Sequence, residues 1–180
     1  MYADDSKAKV KIETEEVVEN LQNNLDKLYT WGKSNNMKFN GSKFQVLRFG
    51  PNDQIKNDTN YFTEKMEEII EQVNFCRDLG VTVSDNCKFD QHIDNVCNRV
   101  RQKSGWVLRT FYTRTPHFMK TIFKSLIQPH IDYCSQLWMP QQGEKLVKIE
   151  RLLKSWTSRI PALRKLPYWE RLETLKMYSH

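Results

Sequence analysis

Apolar residues recur at helical spacing through the second half of the chain, and this pattern constrains the fold more than any other. From residue 89 onward they return every three or four positions, as in amphipathic helices packed around a core. Pro116 can begin a helix, and Pro129 interrupts or kinks it before a continuation to Trp138. A last helix is predicted from Trp169 to Met177. The marker positions of the three longer helices are Ile93, Val96, Val100, Val107 and Phe111; Phe118, Met119, Ile122, Phe123, Leu126 and Ile127; and Leu146, Ile149, Leu153, Trp156 and Ile160.

The first half mixes strand and helix patterns. Val18, Leu21, Leu25 and Leu28 predict a helix that Thr14 can cap. Short strands are predicted in a hairpin over residues 1–12, at 37–40 and 44–49, and over 75–83 with a bend or bulge at 78–80. We therefore predict an α+β fold in two parts, a mixed region over 1–86 and a helical region over 87–180.

Charge divides the chain at a similar place. The net charge is +6, yet residues 1–100 carry 13 Lys or Arg against 17 Asp or Glu, and residues 101–180 carry 15 against 5. A basic helical region is the electrostatic footprint of a polyanion binder, although a merely solvated helical surface would have the same composition.

Composition also limits the cellular setting. No apolar run approaches the roughly 20 residues of a membrane span, and no signal peptide precedes the fold, so we expect an intracellular protein without a membrane partner. The four irregularly spaced cysteines predict free, largely buried thiols and not a zinc site.

The sequence Tyr2-Ala3-Asp4-Asp5 holds two adjacent carboxylates at the tip of the predicted hairpin. Carboxylate pairs can hold Mg²⁺ for phosphoryl transfer, although most Asp-Asp pairs are solvated turns. Further motifs follow in a fixed order, and together they decide between these interpretations. They are Leu28-x-x-Trp31-x-x-x-Asn35, Met37-Lys38-Phe39-Asn40-x-x-Lys43, Arg77-Asp78-Leu79-Gly80-Val81, Gly105 to Phe111, Leu126 to Cys134, and Tyr168 to Leu172.

In this order and spacing the motifs resemble the LINE-like (non-LTR) retrotransposon reverse transcriptases over essentially the whole chain. The resemblance implies a partial palm, with a β-hairpin, a helix and further short strands, followed by an all-helical thumb-like region. The parent activity would be RNA-directed DNA polymerisation, a nucleotidyl transfer that uses Mg²⁺, an RNA template, a DNA primer and dNTPs.

The resemblance also assigns roles to residues. Asp4 and Asp5 match the metal-binding carboxylates, and Lys43 matches a palm lysine beside the pyrophosphate leaving group. The segment with Phe75, Arg77 and Gly80 would hold the primer end. Cations of the helical region would contact the phosphates of the template–primer duplex, namely Lys103, Arg109, Arg114, Lys120 and Lys124.

Other polar and aromatic residues receive no catalytic role. Trp106, Phe111, Tyr112 and Trp138 fall near helical apolar stripes, and we predict them in the core. The histidines His92, His117 and His130 have no partner at ligand spacing, and we predict that they are structural.

In the family, a further catalytic aspartate and the fingers precede the Tyr-Ala-Asp-Asp motif, which stands here at residues 2–5. We therefore expect a fragment of such an enzyme that is inactive as a polymerase alone. Two alternatives stay open: a non-enzymatic nucleic-acid-binding remnant and a non-functional pseudogene product.

Overall fold

A computed structural model describes residues 6–50, 60–63, 68–140 and 143–178. It combines helices with a few short strands, so the predicted α+β class is confirmed at that level. The chain divides into two compact units, one formed by Met1–Arg77 with Val83–Cys87 and the other by Asp78–Thr82 with Lys88–His180. That these units are a palm and a thumb stays a prediction.

The first unit contains one long helix and two short parallel strands. Helix α1, Glu15–Ser34, begins after Thr14 with two glutamates in its first turn, where the helix dipole favours negative charge. Strands β1 (Gln45–Leu47) and β2 (Glu71–Val73) pair in parallel, with Gln45 opposite Glu71. A single 3₁₀ turn, Gly41–Lys43, leads into β1.

Two side-chain contacts fix α1 against the loops of its unit. The rings of Tyr29, Phe39 and Phe44 form a cluster with centroids 5.5–6.2 Å apart. The Gln22 amide pairs with the backbone of Phe62, accepting from its N–H at 3.0 Å and donating to its carbonyl at 3.2 Å. The Gln22 amide thus satisfies the backbone N–H and carbonyl of Phe62, which lie outside any long sheet.

Three strand predictions for this part of the chain are wrong in detail. Residues 8–12 form no strand, because no described strand lies beside them to complete a ladder. Residues 37–40 are not a strand either, since Phe39 packs into the aromatic cluster and a 3₁₀ turn follows. The segment predicted as one bent strand is a hairpin of β3, Phe75–Asp78, and β4, Val81–Ser84. Its two turn residues, Leu79 and Gly80, both have positive φ, as a tight hairpin turn requires.

The second unit is helical. Its long helices, α2 (Asp90–Thr110) and α6 (Gly143–Thr157), follow the predicted periodicity. The shorter elements are α3 (Pro116–Ile122), a π turn (Phe123–Ile127), α4 (Gln128–Asp132), α5 (Ser135–Trp138), a 3₁₀ turn (Pro161–Leu163) and α7 (Tyr168–Leu175).

A continuous apolar core holds these helices together. Lys145 and Lys148 of α6 pair with Asp90 and Asp94 of α2 at the rim of this core. Within the core the Trp156 indole donates to a backbone carbonyl of α3 at 3.2 Å. The most deeply buried side chains are Cys97, Val100, Val107, Met119, Phe123, Ile127, Ile131, Trp138, Ile149, Leu153, Thr157 and Ile160.

The helix that begins at Pro116 is interrupted twice. It widens into the π turn directly before the segment with Pro129, whose ring excludes the carbonyl four residues earlier and which lacks an N–H. The predicted continuation to Trp138 is wrong, because the chain turns at Tyr133 and Cys134, and Cys134 has a φ of 52°. The Trp138 indole stabilises this turn by donating to the Tyr133 carbonyl at 2.8 Å.

Candidate nucleic-acid interface

A stretch without acidic residues is the main electrostatic feature of the helical unit. Residues 95–131 contain no Asp or Glu, and they carry seven cations: Arg99, Arg101, Lys103, Arg109, Arg114, Lys120 and Lys124. Among the described residues none of these cations pairs with a carboxylate, whereas Lys145 and Lys148 do. The positive charge of this stretch is therefore left for an external anion.

One face of α3 and the following π turn presents part of that charge. His117, Lys120, Thr121, Lys124 and Ser125 line an open surface groove, at positions that repeat every three or four residues. The two hydroxyls donate to helix carbonyls, at 3.0 Å from Thr121 and 2.9 Å from Ser125. Two ammonium groups and one imidazole thus share a surface with no carboxylate in its lining.

His117 was predicted to be structural, but its side chain is exposed on this groove. The sequence could not show this exposure, because a single histidine on a helix gives no indication of which face it occupies. Its position next to Lys120 and Lys124 adds a hydrogen-bond donor to the basic surface.

A second basic cluster joins α2 to α4. The half-buried His130 has a pKa below its ordinary value, chiefly because burial disfavours the charged ring. The nearby positive charges of Arg99 and Lys103 lower this pKa further. Arg99 and Lys103 therefore both lie close enough to His130 to disfavour its protonation.

The C-terminal part of α2 carries an exposed indole beside this cluster. Trp106 is 48% exposed, and its ring is perpendicular to that of Phe111, with the ring centroids 6.2 Å apart. Phe111 in turn contacts Phe118, which packs against the core. The indole thus contacts Phe111 while about half of the residue stays open to solvent.

The prediction of four core aromatics is half correct. Trp138 is buried and Phe111 packs against the core, but Trp106 lies half in solvent and Tyr112 is 94% exposed. Tyr112 lies just beyond the last residue of α2, so the helical periodicity that placed it in the core no longer applies.

The predicted phosphate contacts fall into two groups. Lys103, Arg109 and Lys124 are exposed and Lys120 is half-buried, so their charged ends can reach a ligand. Arg114 is half-buried, and its guanidinium donates to the Leu108 carbonyl at 2.6 Å near the end of α2. Arg114 therefore stabilises the helix end, where cations are favoured.

Arg99 was not predicted as a phosphate contact, although it lies in the acid-free stretch over residues 95–131. Charges compared between residues 1–100 and 101–180 do not reveal this stretch, because it crosses residue 100. Counting the distance between successive acidic residues would have found it.

The palm-like candidates lie elsewhere. Asp4 and Asp5 fall outside the described residues. Lys43 is exposed at the end of the 3₁₀ turn before β1, and Phe75 and Arg77 are exposed after β2. Because β1 and β2 run parallel, Lys43 and Phe75 lie beyond opposite ends of this ladder and are not brought together.

Gly80 lies in the turn of the β3–β4 hairpin, and the helical unit fixes that turn. The Tyr133 hydroxyl donates to the Leu79 carbonyl at 2.7 Å, and its ring lies 3.4 Å from where a side chain on Gly80 would begin. The Thr82 N–H donates to Nδ1 of the buried His92 at 3.1 Å. His92 is therefore structural, as predicted.

The described residues contain no group of three or more His, Cys, Asp or Glu side chains that could hold a metal ion. The proposed Mg²⁺ ligands, Asp4 and Asp5, lie outside that search. None of the four cysteines forms a disulfide, and only Cys97 is buried, so the prediction of largely buried thiols is wrong for exposed Cys87 and Cys134.

No helix in the described ranges is long and apolar enough to cross a membrane. Comparisons with protein-family models, curated proteins and solved structures find no match to this chain. The helical unit therefore has to be interpreted from its own geometry and charge.

Proposed function

We propose that this chain is the palm and thumb portion of a LINE-like reverse transcriptase, and that its helical unit binds the template–primer duplex. The observation that carries the binding role is the acid-free stretch over residues 95–131, whose cations have no carboxylate partners among the described residues. The family assignment is supported by the order and spacing of the sequence motifs.

Binding would act mainly on the phosphate backbone. Lys120 and Lys124 carry positive charge on α3 and the π turn. Arg99, Lys103 and Arg109 carry it on α2. Contacts of this kind position a duplex without reading its sequence. A hybrid of RNA and DNA would be recognised by its shape and its backbone, since side chains cannot read its deep, narrow major groove.

The polymerase part of the proposal rests on the palm motifs. Asp4 and Asp5 would hold Mg²⁺, which when bound polarises the phosphoryl oxygens and neutralises developing charge. The exposed ammonium of Lys43 would offset the charge of the departing pyrophosphate. Phe75 and Arg77 alternate on β3 and are both exposed, so one strand face can contact a primer end.

A non-enzymatic nucleic-acid-binding protein is the second candidate. This candidate is favoured because the apolar core of the helical unit is formed only by residues of that unit. Binding by this unit would not require the palm chemistry.

Two assays on the purified 180-residue chain separate these functions. Fluorescence anisotropy with an end-labelled RNA–DNA hybrid tests binding, and we expect binding at low salt. Primer extension on an RNA template with Mg²⁺ and dNTPs tests polymerisation.

Template-dependent extension that Asp4→Ala abolishes would establish polymerase activity and overturn the expectation of an inactive fragment. Binding without extension is expected of the inactive fragment and of the non-enzymatic candidate alike. Failure to bind any nucleic acid at low salt would refute the binding role and leave the pseudogene product as the explanation.

A further inference from the structure

Gly105 lies inside α2, five residues before its end at Thr110. Glycine costs about 1 kcal/mol relative to alanine inside a helix, so its presence there needs a reason. A side chain at this position would meet one described group within 4 Å, the Arg109 guanidinium at 3.3 Å. The missing side chain thus leaves an opening in the helix surface, and Arg109 folds back along it.

The neighbours of this opening have complementary chemistry. Trp106 follows Gly105 directly, is 48% exposed and contacts Phe111. Lys103 and Arg109 lie three positions before and after Trp106, on the same side of the helix. The space beside Gly105 is therefore bordered by an exposed aromatic residue and occupied by the guanidinium of Arg109, with Lys103 one turn away on the same side of the helix.

We propose that this notch, defined by Gly105, Trp106 and Arg109, binds one unpaired nucleotide. Its base stacks on the Trp106 indole and its phosphate contacts Arg109 or Lys103. The inference rests on the proposed nucleic-acid binding of the helical unit, and it specifies a single-stranded ligand next to the duplex-binding cations. Stacking on aromatic side chains is how proteins hold unpaired bases, and a paired base would not expose its face.

Charge favours this occupant over an apolar one. The stretch around the notch has no acidic residue from Asn95 to Ile131, so a polyanion is attracted along α2 from Asn95 onward. A groove on α1 beside the exposed Trp31 has one acidic and one basic residue in its lining, Asp26 and Lys27, and follows two glutamates in the first turn. That groove lacks the net positive charge that would attract a phosphate.

The test compares 10-nucleotide single strands with abasic strands of equal length and charge, using the full chain and fluorescence anisotropy. We expect the base-bearing strand to bind about 5- to 160-fold more tightly, the range for one stacked base. An RNA series and a DNA series run in parallel, and a preference for bases in either series identifies the strand that the notch accepts.

Three variants locate the effect. Trp106→Ala should remove the preference for bases but keep the salt dependence, whereas Trp169→Ala, at another exposed tryptophan, should change neither. Gly105→Ala should weaken base-dependent binding by displacing Arg109, while its melting temperature rises because alanine favours the helix. A loss of binding with higher stability cannot be attributed to misfolding.

Equal affinity for base-bearing and abasic strands would overturn the notch and leave the proposed duplex binding intact. Binding of neither strand nor duplex at low salt would overturn both. A preference for bases that survives Trp106→Ala would also refute the assignment.

Discussion

Removing Lys120 and Lys124 should reduce the salt dependence of nucleic-acid binding by a calculable amount. Both lysines line the groove on α3 and the π turn, and neither pairs with a carboxylate among the described residues. If they and three of the four cations of α2, namely Arg99, Lys103 and Arg109, each neutralise one phosphate, five counterions are released on binding. The slope of log affinity against log salt would then be about −4.5 for the wild type and about −2.7 for the double alanine variant.

The difference is large enough to measure. Between 50 and 200 mM salt, a slope of −4.5 corresponds to an affinity loss of about 500-fold, and a slope of −2.7 to about 40-fold. The assay is fluorescence anisotropy of a labelled RNA–DNA hybrid at four or more salt concentrations, with circular dichroism to verify that each variant is folded.

A matched control uses two lysines outside the acid-free stretch. Lys154 and Lys165 are exposed in the same unit, and replacing both with alanine removes the same net charge. We expect the control variant to keep the wild-type slope. The argument fails if Lys120→Ala/Lys124→Ala keeps a slope of about −4.5, or if both double variants lower it equally, because the effect would then follow net charge and not this face.

Three further predictions concern stability. Gly32→Ala should lower the free energy of unfolding by about 1–3 kcal/mol in urea titration, because the new methyl group would lie 2.4 Å from the Phe39 ring. The pKa of Tyr168 is raised by burial and by its hydrogen bond to Glu150, so the hydroxyl ionises at lower pH in the unfolded chain. Stability should therefore fall as pH rises above about 10, and thermal melts of Tyr168→Phe should show a shallower fall. The pKa of His130 is lowered, so the unfolded chain binds a proton near pH 6.5 before the folded one does. Stability should decrease as pH falls below this value, and less so in His130→Gln.

Each of these has an outcome that contradicts it. An unchanged urea midpoint for Gly32→Ala would mean that Phe39 moves aside freely. Identical alkaline melting curves for the wild type and Tyr168→Phe would show that Tyr168 is not protected in the fold. For His130, an equally steep acid dependence in His130→Gln would assign the effect to other groups.

The long helices were predictable because their signal is repeated. Apolar residues recur over several turns of α2, from Ile93 to Val107, and the apolar positions of α6 are equally regular. A proline marks the start of α3. Burial of these stripes against one another in a single core satisfies all of them together. Local pattern and tertiary packing agree in such segments, so the sequence is sufficient.

The short strands were harder because their conformation depends on distant partners. Phe39 looks like a strand residue locally, but its ring packs against Tyr29 and Phe44. Leu79 has a φ of 45°, which is unusual for leucine, and the Tyr133 hydroxyl holds its carbonyl from more than 50 residues away. No local pattern contains that hydrogen bond, so the hairpin could not be separated from a bulged strand.

The candidate site divides along the same line. The charge that attracts an anion is a property of composition and was visible at Lys103, Arg109, Lys120 and Lys124. The notch depends on side-chain geometry on one face of α2. Because Gly105 has no side chain, the Arg109 guanidinium can lie against the helix there, next to the exposed Trp106. Helical spacing assigned Trp106 to the core because it cannot distinguish an indole that packs over its whole surface from one that contacts Phe111 and stays half exposed. The proposed base contact at Trp106 adds to the phosphate contacts, and the abasic comparison measures its contribution separately from that of charge.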